Sequence, residues 1–98
     1  MKLVWSAFAL VDRDGIFTHI ERDNPRAAIA VDERIAAAVR HLLDSRKAGG
    51  PGRVAGTREI IITGTPYIAA YTATEGTIRV LCVLHGAQRW PDEFSERL

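Results

Sequence analysis

The chain reads as an α+β domain: a helical hairpin packed on one face of a four-stranded sheet of antiparallel type. Three observations predict this. Helical periodicity is confined to the first half of the 98 residues, between Ala7 and Leu43. From Thr57 onward the chain is rich in β-branched and aromatic residues and is broken only by short turns. A lone β-rich stretch, Lys2 to Trp5, precedes the helices and must pair into the same sheet to satisfy its backbone. Residues 1–98 are therefore expected to form a single domain with strand-helix-helix-strand-strand-strand order.

Each element has a local reason. Ser6 can accept a backbone N–H and so cap a helix over Ala7 to Asp23, where Leu10, Phe17 and Ile20 recur at helical spacing and Ile16 widens the face. Arg13 and Gly15 weaken that helix, and Asp12-Arg13-Asp14-Gly15 is a site for a local irregularity. It is no calcium loop: an EF-hand opened by Asp12 would place Phe17 where glycine is required and Asp23 where the closing glutamate belongs. Asn24-Pro25 is a cap followed by proline at the first helical position. The second helix carries Ala28, Val31, Ile35, Ala38 and Leu42 at steps of three and four, so two amphipathic helices should share one apolar seam.

Gly49-Gly50-Pro51-Gly52 stops the second helix and reads as a loop, since it lacks the Gly-Lys-Ser/Thr ending of a phosphate-binding loop. Strands are expected over Thr57 to Thr63, Tyr67 to Thr74 and Thr77 to His85. Gly64-Thr65-Pro66 and Glu75-Gly76 supply the turns between them. Simple alternation in the last strand puts Ile78, Val80, Cys82 and Leu84 on one face, and Arg79, Leu81, Val83 and His85 on the other. Pro91 is placed to open a short C-terminal helix through Phe94.

Bulk properties exclude several classes. The net charge of +1 points neither to nor away from nucleic acid, and 47% hydrophobic with 26% charged residues is ordinary for a globular domain. No apolar run reaches membrane-spanning length and no leader-like segment opens the chain, so a cytoplasmic protein without membrane contact is expected. Cys82 is alone, which rules out an intrachain disulfide. His19 and His41 have no metal-ligand companions, and no metal or cofactor is expected. Positive charge is concentrated late: between Lys47 and Arg89 only Glu59 and Glu75 oppose Lys47, Arg53, Arg58, Arg79 and Arg89. Guanidinium groups of this kind suit carboxylate and phosphate forks.

The opening MKLVWS, the helix junction ERDNPRAA and the runs GRVAGTREIIITGTPYIAAY and RVLCVLHGAQRWP together resemble the RelE/ParE superfamily of type II toxin–antitoxin toxins, also called plasmid-stabilisation proteins. The resemblance covers almost the whole chain. It implies a growth-inhibiting toxin, a RelE/ParE-like fold and a cognate antitoxin whose disordered segment folds on binding. It also implies one of two mechanisms, because ParE-like members poison DNA gyrase without enzymatic action, whereas RelE-like members cut mRNA on the ribosome by metal-free acid–base chemistry.

Metal-free RNA cleavage needs a base, an acid and cations for the developing phosphorane charge. His85 is the acid–base candidate, since imidazole is the side chain type suited to proton transfer near neutral pH, and it stands where the nuclease branch of the YoeB type also carries a histidine. The departures from that branch are specific. Gly86 replaces an aromatic residue, Ile68 replaces an arginine in a Tyr-Arg-aliphatic pattern, and no loop glutamate lies between Gly49 and Thr57. The resemblance thus leans to gyrase, with ribosome-dependent cleavage as the alternative. Target- or antitoxin-binding candidates are Arg53, Arg58, Arg79, Gln88, Arg89 and Trp90. Plain structural roles stand beside these: His85 bonding the Gly86 turn, Arg58 as a strand-edge charge, and Trp90 closing the core with Phe94.

Overall fold

The structure is a computed structural model and describes residues 1–86. The predicted C-terminal helix, and Gln88, Arg89 and Trp90, lie outside the described residues. The elements are β1 (Lys2–Trp5), α1 (Ala7–Glu21), α2 (Pro25–His41), β2 (Gly50–Pro51), β3 (Arg58–Ile61), β4 (Tyr67–Thr74) and β5 (Thr77–His85). They form one sheet in the order β1-β5-β4-β3-β2.

Both predicted helix starts are built as their sequences require. Ser6 Oγ accepts from Ala9 N–H at 3.0 Å, and Asn24 Oδ1 accepts from Ala27 N–H at 3.1 Å with Pro25 following. Each bond satisfies one of the N–H groups that a first helical turn leaves unpaired. α1 runs unbroken through Asp12-Arg13-Asp14-Gly15. Tertiary pairing holds it there: Arg13 reaches across to Asp32 of α2 through two bonds of 2.6 and 2.9 Å, and its guanidinium lies 5.0 Å from the centre of the Trp5 ring. The hydrogen bond from Asp32 raises the Arg13 pKa above its ordinary value, with the Asp32 charge adding to it and burial working the other way.

The α+β class stands as read, with three differences in detail. β1 pairs with β5 in parallel, Lys2 opposite Thr77 and Trp5 opposite Val80, so the sheet is mixed. β3, β4 and β5 form an antiparallel meander, and β1 adds to the outer side of β5 running in the same direction. The Gly-Pro loop supplies a fifth strand of two residues against Glu59 and Arg58, at the sheet edge where proline's missing N–H costs no ladder bond.

The third difference is in β5. Ala70 pairs with Cys82 but Tyr71 with Val80, leaving Leu81 as the extra residue of a β-bulge. Strict alternation therefore fails halfway along. Ile78 and Val80 face the helices, and beyond the bulge so do Val83 and His85, whereas Leu81, Cys82 and Leu84 turn to the other side. A slip of one residue reverses every later side chain.

The main core lies between sheet and helices, where Ile35 and Val39 of α2 and Leu42 at its C-cap meet Ile60, Ile62, Tyr71, Ile78 and Val80. Full burial of each such side chain contributes roughly 1.5–3 kcal/mol. On the opposite face Ile68, Ala70, Leu81, Cys82 and Leu84 form a smaller cluster with Val54 against it.

Candidate functional site

β5 changes partners at its bulge, and this positions its histidine end. Up to Val80 its outer backbone is bonded to β1, ending with Ser6 N–H donating to Val80 O at 3.0 Å. Beyond that the side chains around the start of α1 take over. Ser6 Oγ donates to Leu81 O at 3.0 Å, and Asp12 Oδ2 accepts from Val83 N–H at 3.1 Å. These two bonds partner Leu81 O and Val83 N–H as β5 continues past the end of β1 toward His85.

His85 ends exposed, its ring meeting the buried Tyr67 ring edge-on at 5.8 Å between centres and 80° between planes. With Tyr67 it lines a cleft of about 300 Å³ whose other walls include Asp12, Gly15, Ile16, His19 and Val83. His19, an exposed residue of α1, thus shares a cleft with His85. A wheel of α1 carries the signal, because Asp12, Gly15, Ile16 and His19 repeat at three and four along one side.

The arginines are dispersed. Arg79 lies on β5 before the bulge, opposite Thr72 and on the other face from His85, roughly 20 Å along the strand. The expectation that Arg79 and His85 share a face is corrected by the bulge at Leu81. Arg53 comes nearest: its guanidinium donates to Gly86 O at 3.1 Å. It is also held by Glu59, with 3.5 Å between Arg53 Nε and Glu59 Oε1 and 2.7 Å from Arg53 N–H to Oε2. Arg58 is turned away and clamps the turn after α2, donating to Lys47 O at 3.2 Å and Gly49 O at 2.5 Å. Its Nε is buried with no hydrogen-bond partner among the described residues. Among the described residues no arginine lines the His85 cleft. Among the described residues no group of three or more histidine, cysteine or carboxylate side chains could hold a metal ion.

The larger concavity lies elsewhere. A groove of about 660 Å³ runs between α2 and β3, with Arg34, Ala37, Ala38, His41 and Leu42 on one side and Ile60, Ile61 and Thr63 on the other. Its end wall, Ala48 to Gly50, is held firmly. The buried Tyr71 hydroxyl donates to Arg46 O at 2.8 Å and accepts from Gly49 N–H at 3.1 Å, while Arg58 takes the two carbonyls already named. Any side chain at Gly49 would collide with Glu59 O, 2.6 Å from where its Cβ would stand. The residue-by-residue reading did not single out this groove. Its α2 wall is nonetheless periodic, with Arg34, Ala37, Ala38 and His41 on one flank of the core stripe.

This strand order, helical hairpin and histidine-ended β5 can be set beside known proteins. Residues 3–90 match the family model described as the ParE toxin of the type II toxin–antitoxin system parDE. The chain belongs to the ParE toxin family. A protein of Sinorhizobium fredii named as a toxin, Y4kP, is 38% identical over 90 residues, covering 92% of this chain and 93% of its own. A solved structure from the chromosomal ParDE system of P. aeruginosa superposes with a TM-score of 0.79 at 26% identity, covering 87% of this chain and 95% of that one. The protein is thus a ParDE-type toxin, and such a system pairs its toxin with an antitoxin. Among the described residues no helix of this ParE-family chain is long and apolar enough to cross a membrane.

Proposed function

We propose that this ParE-family protein stops growth by binding and poisoning DNA gyrase in the cytoplasm, without enzymatic action, and that a cognate antitoxin neutralises it. The observation that carries this reading is that, among the described residues, no arginine joins His85 in its cleft. Phosphoryl transfer to a 2′-hydroxyl builds negative charge that a metal-free site must meet with fixed cations beside the acid–base groups. Here Arg58 is spent on the turn after α2, Arg79 faces away, and Arg53 is tied to Glu59 and Gly86. Membership of the ParE branch supports the same choice.

A second reading is kept by one observation. His85, His19, Tyr67 and Asp12 share a cleft, and such groups are the materials of acid–base catalysis, so ribosome-dependent mRNA cleavage is the alternative. Pulse-labelling of DNA and protein synthesis just after induction of the toxin without antitoxin separates the two. The gyrase reading expects early loss of DNA synthesis with a DNA-damage response, and purified gyrase that is inhibited equally by the parent and by His85→Ala. Immediate translation arrest with cut mRNA, abolished by His85→Ala, would replace it with the nuclease reading.

A further inference from the structure

The sheet face turned away from the helices carries an apolar cluster of its own. Ile68 and Ala70 of β4 pair with Leu84 and Cys82 of β5, and the bulge adds Leu81 to the same side. Ala70, Leu81 and Cys82 are buried as completely as the core between sheet and helices. Yet among the described residues the one partly buried apolar side chain packed on this cluster is Val54. A sheet with helices on one side ordinarily turns a polar face to water on the other, so this face calls for a cover. The described residues end beside it. Gly86 O accepts from the Arg53 guanidinium at 3.1 Å, and Val54, the next residue after Arg53, is the side chain already on the cluster. A cleft of about 440 Å³ lined by Ile61, Pro66, Ile68 and Gly86 joins the cluster to that point.

We propose that residues 87–98 of the same chain cover this face, with Trp90, Phe94 and Leu98 seated on Ile68, Leu81, Cys82 and Leu84. The reach is sufficient. From Leu84 to Leu81 the cluster extends roughly 10 Å along β5, and Trp90 to Leu98 spans about 12 Å even on a helical path. The pattern fits as well, because these three apolar residues stand four apart and fall on one side of a helix, with Asp92 and Glu96 opposite. Charge separates this occupant from a second copy. Arg79 is exposed on the same face of β5, and Arg53 stands at its other end. The segment carries three carboxylates, Asp92, Glu93 and Glu96, against Arg89 and Arg97, whereas a second copy would bring another face bordered by arginines. The segment thus closes a second core, and Trp90 belongs to the fold rather than to a target-binding surface. The proposal is independent of whether gyrase or mRNA is the target.

The test uses the full-length toxin without antitoxin, with Cys82, the one cysteine of the chain, as reporter. In the unaltered protein, nuclear Overhauser contacts are expected from the Trp90 and Phe94 rings to the methyl groups of Ile68, Leu81 and Leu84. The Cys82 thiol should react with dithiobis-nitrobenzoate at least about a hundredfold more slowly than in the urea-unfolded chain, at every protein concentration. The double substitution Trp90→Ser and Phe94→Ser is expected to speed that reaction at least about tenfold, while amide exchange at Ile35 and Val39 of the helix-side core stays slow. The contacts in the unaltered chain decide the matter even where the double variant fails to fold. Their absence, a Cys82 that reacts as fast as in the unfolded chain, or unchanged reactivity in a folded double variant would overturn the proposal. Protection lost on dilution would overturn it by assigning the face to a second copy. Protection that appears only with antitoxin would overturn it by assigning the face to that partner.

Discussion

The two halves of β5 are one continuous strand under different rules. From Thr77 to Val80 it is bonded on both sides by strands, β1 and β4, and its side chains alternate as the sequence suggests. From Leu81 to His85 the strand on one side is gone, replaced by Ser6 and Asp12 from the start of α1, and the faces are exchanged. Five apolar residues in a row, Val80 to Leu84, make both registers almost equally good for burial. A pattern with no polar residue cannot specify a face, so backbone partners decide it. The consequence is functional, because the bulge delivers His85 to the α1 side with Tyr67 and His19, away from Arg79.

Substitutions can strain or sharpen that contrast. The largest effect is expected at Tyr71, fully buried where β4 faces the bulge and bonded through its hydroxyl to Arg46 and Gly49. Tyr71→Ala should cost about 3–5 kcal/mol of stability in chemical denaturation, from the cavity and two orphaned backbone groups. An effect under about 1 kcal/mol would mean that the strand pair tolerates the bulge without this anchor.

Asp12→Ala removes the acceptor for Val83 N–H and should destabilise by about 1–3 kcal/mol. Heteronuclear NMR should show the change concentrated after Leu81, with Ile78 to Val80 hardly shifted. Equal disturbance of both halves would erase the distinction drawn between them. Ser6→Ala loses the α1 cap and the bond to Leu81 O together, and about 1–2 kcal/mol is expected by thermal unfolding. The smallest effect has the opposite sign. Gly15 sits mid-helix with open space at its missing Cβ, so Gly15→Ala should gain up to about 1 kcal/mol. Because Gly15 also lines the His85 cleft, an unchanged toxicity in that variant would further weaken a catalytic role for the cleft.

Much of the fold was legible because its signals are local. Ser6 and Asn24-Pro25 start helices wherever they occur, and Glu75-Gly76, with φ of 50° and 74°, turns a hairpin by its own backbone preference. The candidate site was less legible. Arg53 and Arg58 read as free positive charge, yet both are consumed within the fold by partners that include Glu59, Gly86, Lys47 and Gly49. Nothing near them in the chain announces carbonyls brought from 9 to 33 residues away.

By itself, then, the sequence determined where the two helices and four of the five strands lie, how the helices begin, and that the chain is a toxin of this superfamily. Those properties depend on side chains acting on their own backbone or on motifs spread along the chain. The tertiary structure alone decided the parallel pairing of β1, the bulge at Leu81, the company of His85 and the groove between α2 and β3. Each of these depends on which backbone groups find partners from distant parts of the chain, and an apolar run such as Val80 to Leu84 carries no local preference between the alternatives.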